Sequence, residues 1–265
     1  MSLAASFPAD WQVPAYTCTE FFPKRNRYAM AVFVINEGER IRRQLAKMTP
    51  LAGRVDIVVA DGGSTDGSLD EAFLREAGVR LKLVKTGPGK LSAQMRMALA
   101  HLMTEGYEGV IVVDGNDKDD TSAAPLFIEA LDAGIDHVQG SRYVKGGQAI
   151  NTPFMRHWGV TLLHAPMISL AARRRYTDTS NGFRAYSRAL LTDPRVKPFR
   201  DVFVGYELHY YLAIRSSRLG FKVKEVPVTR RYPESGPIPS KISPFRGSVG
   251  ILKVLARACM GRYNP

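Results

Sequence analysis

Acidic residues crowd the end of one apolar segment of the sequence. Residues 109–114, GVIVVD, lead into a run in which four aspartates fall within seven residues: Asp114, Asp117, Asp119 and Asp120. Such a cluster repels itself unless a cation or a cationic ligand is present. Carboxylate and amide oxygens suit Mg²⁺ or Mn²⁺, which keep several waters and bridge substrate phosphates. The segment therefore predicts a divalent-metal site, and the alternative is a solvated acidic loop with helix caps.

A second polar segment, DGGSTDGS at residues 61–68, also follows an apolar run. Its glycines let the backbone approach a ligand closely, and the Asp61 carboxylate can accept hydrogen bonds from a base or a ribose. The alternative is a plain turn in which Ser64 or Asp66 caps the helix that follows. The segment thus predicts either a nucleoside contact or a capped turn.

The elements around these segments alternate between strand and helix. The pattern predicts buried strands at residues 28–35, 55–60, 79–84 and 109–114, and helices at 37–48, 67–77 and 91–105. This alternation indicates an α/β fold with a parallel sheet covered by helices on both faces. In such a sheet, ligands bind beyond the carboxyl ends of the strands. The side chains that we expect there are Asn36, Glu37, Asp61 and Asp114.

The rest of the chain shows no repeat and no break in composition. An apolar helix at 153–175 ends in three arginines, and further elements are predicted as a helix at 205–219, a strand at 221–229, a proline-rich loop at 233–244 and an amphipathic helix at 247–262. Residues 1–27 lack a clear period, so we expect an arm that packs on the domain or stays mobile. We divide the chain into this arm (1–27), one α/β domain (28–246) and a C-terminal amphipathic helix (247–265).

Charge and composition limit the function further. The 265 residues include 37 lysines and arginines against 25 aspartates and glutamates, a net charge of +12 that favours phosphate-rich ligands, nucleic acid or an anionic bilayer. Two cysteines at opposite ends of the chain, Cys18 and Cys259, give no disulfide framework. The longest apolar stretch, 158–172, is too short to span a bilayer, and the start of the chain lacks a signal-peptide pattern. We expect a cytoplasmic protein, with peripheral contact at the inner membrane surface as an open alternative.

Several function classes need patterns that the sequence lacks. A dinucleotide-dependent dehydrogenase requires Gly-x-Gly-x-x-Gly after the first strand, where this chain has INEGER. TGPGKLS at residues 86–92 lacks the spacing of a phosphate-binding P-loop. The five histidines show no zinc-ligand spacing, and a nucleic-acid partner would rest on charge alone. We therefore expect none of these activities.

Six segments, taken in order, resemble family 2 glycosyltransferases of the GT-A fold, and among them the polyprenol-phosphate mannose synthase-like branch. They are VFVINEGERI, DIVVADGGSTDGS, VIVVDGNDKDD, GSRYVKGG, TDTSNGFRAYSR and GYELHYYLAIRSSRLGFKVKEVPVT, and the resemblance covers most of residues 30–243. It implies inverting transfer of a hexose from a nucleoside-diphosphate sugar, GDP-mannose or a UDP-sugar, to a polyprenyl phosphate. The residues that it places around the donor are Asn36, Glu37, Asp61, Gly62, Ser64, Asp114, Gly115, Asn116 and Arg156.

The resemblance also implies Mg²⁺ or Mn²⁺ at Asp114, Asn116 and Asp117. The family's metal motif is usually Asp-x-Asp, whereas this chain has an amide at Asn116 in place of the second carboxylate. An amide oxygen can still ligate a cation, but we expect a lower metal affinity or a shifted geometry. Asn116 is therefore the one departure from the pattern at the heart of the site.

The catalytic residues implied by the resemblance are Asp114, Arg142, Asp178, Glu207 and Lys241. Arg142 and Lys241 would stabilise charge on the leaving diphosphate, or they are ordinary surface cations. Glu207 and Asp178 are candidate bases for a hydroxyl acceptor, and the alternative is that Glu207 pairs with an arginine and Asp178 holds a turn. A lipid phosphate, already anionic, needs no base.

Two other functions and two other roles for the helices stay open. The same fold can transfer a sugar to a hydroxyl of a soluble glycan or small molecule, or bind a nucleotide without catalysis. The apolar helix at 158–172, with its three arginines, and the C-terminal helix suit the interface between a bilayer and anionic headgroups. They suit equally a place in the core with solvated outer faces.

Overall fold

A computed structural model describes residues 6–234 and 246–265, and a sheet of eight strands runs through them. The described residues contain ten strands in all. In chain order they are β1 (Tyr16–Glu20), β2 (Tyr28–Val34), β3 (Asp56–Asp61), β4 (Val79–Lys85), β5 (Gly109–Asp114), β6 (His137–Ser141), β7 (Gln148–Ile150), β8 (Arg184–Ser187), β9 (Val223–Pro227) and β10 (Thr229–Arg231). β7 and β10 form a separate two-stranded parallel sheet. The strands β2 and β3 are buried along their whole length, as expected for a sheet covered on both faces.

Helices cover the two faces of the large sheet. They are α1 (Glu39–Met48), α2 (Glu71–Glu76), α3 (Leu91–Thr104), α4 (Ala124–Asp132), α5 (Phe154–Trp158), α6 (Ala165–Ala172), α7 (Arg188–Thr192), α8 (Glu207–Arg218) and α9 (Arg246–Cys259), with a π-helical segment, Gly159–His164, between α5 and α6. One apolar core joins the sheet to α3, α6, α8 and α9, and the other joins it to α1, α2 and α4. This is the predicted α/β architecture with helices on both faces.

The strand order is β1-β4-β3-β2-β5-β8-β6-β9. The pairs among β2, β3, β4 and β5 are parallel, as is β6 with β9, whereas β8 runs antiparallel to both of its neighbours. The order steps outward from β2 to β4 and then returns to β5, so neighbouring loops diverge beside the ends of β2 and β5. That point is where an open sheet of this kind leaves a crevice for ligands.

The structure contains a strand that the sequence analysis did not predict within the first 27 residues, where an arm packed on the domain was one of the two alternatives. Tyr16–Glu20, within the predicted arm, pairs antiparallel with β4 as an edge strand. Tyr16 and Cys18 pack against the core, whereas Thr17 and Glu20 are exposed. A pattern of five residues is too short to predict a strand, and β4 supplies the hydrogen bonds that fix this segment.

Two later elements also differ. The predicted helix 153–175 contains the π-helical segment, and the predicted strand 221–229 divides, so that β9 stays in the large sheet and β10 leaves it to pair with β7. Helix α2 begins after Asp70, whose side chain accepts from the amide of Phe73, instead of being capped by Ser64 or Asp66. Among the described residues, no helix is both long and apolar enough to cross a membrane.

Candidate active site

A cleft of about 950 Å³ opens at the carboxyl ends of β2 and β5. It brings together many of the predicted residues, namely Asn36, Glu37, Gly62, Asp114, Gly115, Asn116, Arg142 and Arg156. Other predicted residues are absent from its lining: Asp61, Ser64, Asp117, Asp178 and Glu207. Lys241 lies outside the described residues.

Asp114 is the last residue of β5 and reaches into the cleft with 27% of its side chain exposed. Its backbone carbonyl accepts a hydrogen bond of 2.9 Å from the Gln44 side chain, which anchors the strand end to α1. A Cβ atom at Gly182 would lie 3.0 Å from Asp114 Oδ1. Glycine at 182 therefore leaves the space that the carboxylate needs.

Asn116 offers a second oxygen beside that carboxylate. Its Oδ1 atom is buried and has no hydrogen-bond partner, and its Nδ2 atom lies 3.5 Å from Asp114 Oδ2. No group of three or more histidines, cysteines or acidic residues within the described part of the chain can hold a metal ion by itself. One carboxylate and one amide nevertheless suit Mg²⁺ or Mn²⁺, because such ions take their other ligands from water and substrate phosphates. The residues present therefore fit a divalent cation that is shared with a diphosphate.

Asp117 faces away from this pair of oxygens. Its carboxylate contacts Lys47 at 2.8 Å and Arg43 at 3.3 Å, both on α1, and its backbone has a positive φ of 56°. The amide of Asp117 also donates to the Gln44 side chain at 2.7 Å. This geometry does not favour Asp117 as a metal ligand, and it gives the residue a role in fixing the loop after β5.

The glycine-rich turn after β3 is held together by its own polar side chains. Asp61 Oδ1 accepts from the amides of Gly63 and Ser64 and from the Ser64 hydroxyl at 2.7–3.1 Å. Ser64 Oγ in turn accepts from the amide of Asn36, and Asn36 Oδ1 accepts from the amide of Thr65. Asp61 and Ser64 thus tie the turn to the loop after β2, while Asn36 and Gly62 line the cleft.

Arg142 and Asp178 form a fully buried ion pair at the cleft wall. The guanidinium donates to both carboxylate oxygens, with Nε to Oδ2 at 2.7 Å and Nη2 to Oδ1 at 3.0 Å. Burial would raise the pKa of Asp178, but the hydrogen bonds and charge of Arg142 outweigh it, and the pKa is lowered. A carboxylate so engaged is a poor proton acceptor, and its place is behind Arg142, which lines the cleft.

Arg230 is a second buried cation, and sequence analysis did not identify it. Its guanidinium contacts the buried Asp119 carboxylate and lies 3.4 Å from Asp114 Oδ2. Burial would lower the pKa of Arg230, but Asp119 and Asp114 raise it, so the side chain stays charged. Asp119, one of the four clustered aspartates, is therefore the counter-ion of Arg230, which lies on β10.

Tyr232 joins three cations of the cleft wall. Its hydroxyl accepts a hydrogen bond of 3.0 Å from Arg156 Nη1, and the cationic groups of Lys118, Arg156 and Arg230 lie 5.3–5.8 Å from the centre of its ring. Burial would raise the pKa of Tyr232, yet the charges of Arg230 and Arg156 lower it overall. We call Lys118, Arg142, Arg156 and Arg230 the cationic wall.

Glu207 begins α8 behind the cleft. Its Oε2 atom accepts from the amide of Gly205 at 2.5 Å, and a Cβ atom at Gly205 would lie 3.0 Å from Oε1. The carboxylate therefore closes the turn into α8 and does not line the cleft. This arrangement favours a structural role for Glu207 over a role as a base, although its partner is the amide of Gly205 and not the arginine expected from the sequence.

The chain is similar to glycosyltransferases both in sequence and in structure. No protein-family model matches the chain. It is 29% identical over 203 residues to an undecaprenyl-phosphate mannosyltransferase of Micrococcus luteus, which covers 73% of this chain and 79% of that protein. It is 27% identical over 236 residues to a polyprenol monophosphomannose synthase of Mycolicibacterium smegmatis, covering 86% of each chain.

Solved structures share the fold at lower identity. Glucosyl-3-phosphoglycerate synthase from Mycobacterium tuberculosis, in complex with Mn²⁺, UDP and glucosyl-3-phosphoglycerate, superposes with a TM-score of 0.61 at 20% identity, covering 88% of this chain and 80% of that one. This chain has the GT-A fold. The resemblance found in the six sequence segments is confirmed by the similarity to polyprenyl-phosphate mannosyltransferases.

Two buried histidines complete the lining of the GT-A cleft. His164, at the end of the π-helical segment, forms a hydrogen bond of 2.7 Å between its Nδ1 atom and Oγ1 of Thr179. Burial lowers the pKa of His164 to about 4. Burial also lowers the pKa of His209 well below its usual value. Both imidazoles are therefore neutral at pH 7 and too weakly basic to serve as good proton acceptors.

Sequence reasoning missed several residues of the GT-A cleft, among them Lys118, Arg230 and Tyr232. Lys118 lies inside the acidic segment DGNDKDD, which was interpreted only as a source of metal-binding carboxylates. Arg230 and Tyr232 follow the predicted strand FKVKEVPVT, and a basic residue directly after a strand end is a signal that could have identified Arg230.

Proposed function

We propose that this protein transfers a hexose from a nucleoside-diphosphate sugar to the phosphate of a polyprenyl phosphate. The observation that carries the proposal is the meeting, in one cleft, of the Asp114 and Asn116 oxygens with the cationic wall. Oxygen ligands suit a cation bound to the donor diphosphate, and several fixed cations suit a second anionic group. The similarity to polyprenyl-phosphate mannosyltransferases supports the same acceptor class.

The shortage of a usable base supports a phosphate as the acceptor. Among the described residues that line the cleft, the carboxylates are Glu37 and Asp114. Glu37 is paired with Arg40 at 2.8 Å, and Asp114 is the proposed metal ligand. A hydroxyl acceptor must lose its proton during attack, whereas a phosphate oxygen attacks as an anion. The cleft therefore suits an acceptor that is already charged.

The chain's residues would act mainly on charge and position. A divalent cation held by Asp114 and Asn116 supplies neutralisation of the donor diphosphate when it is bound. Arg142, fixed by Asp178, presents its guanidinium to negative charge that grows on the leaving group. Arg156 and Lys118 bind the acceptor phosphate and hold one of its oxygens for attack at the anomeric carbon, opposite the leaving diphosphate. Attack from that side inverts the anomeric configuration.

The remaining parts of the assignment rest on the resemblance. GDP-mannose or a UDP-sugar is the proposed donor, with its nucleoside against Asn36, Glu37 and Gly62. Lys241 is the proposed further cation near the diphosphate. Mg²⁺ or Mn²⁺ is the proposed cofactor, and the reaction would take place at the cytoplasmic side of a membrane, where polyprenyl phosphates are embedded.

Release of nucleoside diphosphate tests the proposal. Purified protein is given GDP-mannose, GDP-glucose, UDP-glucose or UDP-galactose, with Mg²⁺, Mn²⁺ or EDTA, and with or without a polyprenyl phosphate in detergent. We expect release from one donor that needs the metal and rises at least tenfold with the lipid. Equal release without the lipid would point to a hydroxyl acceptor or water, and tight nucleotide binding without release would point to a non-catalytic domain.

A further inference from the structure

The helical region 154–172 exposes a row of large apolar side chains. Exposed fractions reach 72% for Phe154, 79% for Met155, 68% for Leu162 and 83% for Leu170, and Trp158 and Leu163 are exposed at 43% each. We call these six residues the apolar stripe. Six exposed large apolar side chains within 17 residues are unusual on a protein that stays in water, and such surfaces mark interaction sites.

The π-helical segment aligns the stripe. Phe154, Trp158, Leu162 and Leu170 are separated by multiples of four residues, and all four are exposed. In a regular α-helix, a residue sixteen positions on is rotated by about 160° from the first, because each residue adds 100°. The wider turn of Gly159–His164 takes up much of that rotation. Leu170 therefore stays close to the face of Phe154 instead of turning inward.

The opposite face of the same region belongs to the cleft and the core. Arg156, Val160 and His164 line the cleft, and Ile168 and Ala172, continuing the same spacing of four, are buried in the core. One short helical region thus presents an apolar row to the outside and a cleft wall to the inside. A molecule bound against the stripe would lie within a helix diameter of Arg156.

Exposed cations border the stripe. Arg173, Arg174 and Arg175 follow directly after α6, and all three are exposed. Helix α9 packs against α6 and exposes Leu252 together with Lys253 and Arg257. Apolar side chains that include tryptophan, next to arginine and lysine, match the boundary between acyl chains and anionic headgroups.

We infer that the apolar stripe is a membrane-docking face that seats the protein on an anionic lipid surface. The inference rests on the proposed function, because a polyprenyl phosphate in that surface would bring its phosphate to Arg156 along the same helix. The charge around the stripe favours an anionic bilayer over a second copy of this basic chain, whose net charge of +12 would oppose close pairing. The bilayer is thus both the docking partner and the source of the acceptor.

Vesicle co-sedimentation tests the docking face without any substrate. The vesicles contain equal parts of phosphatidylcholine and phosphatidylglycerol and no polyprenyl phosphate. We expect the full chain to bind them, and Leu162→Ser to lower the partition coefficient about tenfold, as loss of one buried large apolar side chain does. Val202→Ser, an exposed apolar residue on the loop between α7 and α8, is the matched control and should bind as the wild type does.

A charge pair separates the headgroup contribution. Arg173→Gln/Arg175→Gln should weaken binding to the anionic vesicles and leave the weak binding to pure phosphatidylcholine unchanged. Arg25→Gln/Arg54→Gln removes the same charge just before β2 and β3, which three or more strands separate from β9, the strand that Arg174 contacts, and should have little effect. Circular dichroism of each variant confirms that the fold is retained.

The outcomes distinguish the docking face from the proposed function. Equal vesicle binding by Leu162→Ser and Val202→Ser would overturn the docking face, as would a wild-type dimer in solution that Leu162→Ser dissociates. Turnover of a detergent-solubilised polyprenyl phosphate is measured on the same samples. Retained turnover with lost vesicle binding supports the inference, whereas vesicle binding without any turnover would leave the docking face intact and overturn the proposed function.

Discussion

The two sides of the cleft are assembled in different ways. On one side, Asn36, Gly62 and Asp114 lie at or just beyond the carboxyl ends of the neighbouring strands β2, β3 and β5. On the other side, the cationic wall draws on residues 118, 142, 156 and 230, which belong to separate loops and elements. The first side is positioned by the sheet itself. The second depends on particular partners: Asp178 for Arg142, Asp119 for Arg230 and Tyr232 for Arg156.

This difference has an energetic consequence. The sheet holds the backbone at a strand end when a side chain there is replaced. Loss of such a side chain should therefore affect ligand binding and leave stability nearly unchanged. A buried cation that loses its counter-ion is left with an uncompensated charge, which is costly. Substitutions on the two sides should therefore separate chemistry from stability.

The largest effect is expected at the carboxylate of Asp114. Asp114→Asn should lower metal-dependent turnover about 1,000-fold, comparable to loss of a main charge-stabilising group, while the urea midpoint stays close to that of the wild type. Mn²⁺ titration in the presence of nucleoside diphosphate should show weakened metal binding as well.

Asp117→Asn is the matched control for this variant. It removes the same charge three residues away, from a carboxylate that contacts Arg43 and Lys47. We expect its Mn²⁺ affinity and turnover to stay near the wild-type values. Equal losses in the two variants would show that Asp117 takes part in metal binding and that its contacts with α1 rearrange.

Asp178→Asn should affect both turnover and stability. Without its carboxylate, Arg142 keeps a buried and unpaired charge, so the free energy of unfolding should fall by about 3 kcal/mol. Displacement of the guanidinium should lower turnover about 100-fold. Urea denaturation and steady-state kinetics measure the two effects. Asp193→Asn, which breaks the exposed pair with Arg195, should change neither, and a wild-type unfolding curve for Asp178→Asn would show that the pair is not needed.

Tyr232→Phe should change only the affinity for the acceptor. The ring and its contacts with three cations remain, but the hydrogen bond from Arg156 is lost, so KM for polyprenyl phosphate should rise about tenfold with little change in kcat. Tyr232→Leu removes the ring too and should raise KM further. An unchanged KM in both variants would mean that Arg156 is positioned without Tyr232.

The smallest effect is expected for Glu207→Gln. The glutamine carbonyl oxygen can still accept from the amide of Gly205, so turnover should fall far less than the roughly 100-fold that loss of a general base costs. Steady-state turnover and donor affinity are measured together. Collapse of turnover with intact donor binding would instead identify Glu207 as a base and favour a hydroxyl acceptor.

The strand-end side of the site could be predicted from sequence because its signals are local. An apolar run that ends in Asp114 marks both the strand and the position of the carboxylate, and glycines at 62 and 115 mark the turns that approach a ligand. The partners of the cationic wall have no such local signal. Asp119 and Arg230 are 111 positions apart, and backbone hydrogen bonds between residues 118–120 and 229–231 bring the arginine beside the acidic loop.

Between residues 28 and 114, hydrophobic periodicity and turn residues were enough to predict the α/β class, the order of the strands and helices and the acidic strand ends, because these signals act over a few positions. The tertiary structure decided which carboxylates face the cleft. It turned Asp117 toward α1 and Asp178 toward Arg142, and it aligned the apolar stripe through a π-helical segment that the periodicity of the sequence did not reveal. These outcomes depend on contacts between distant segments, which form only when the sheet is assembled.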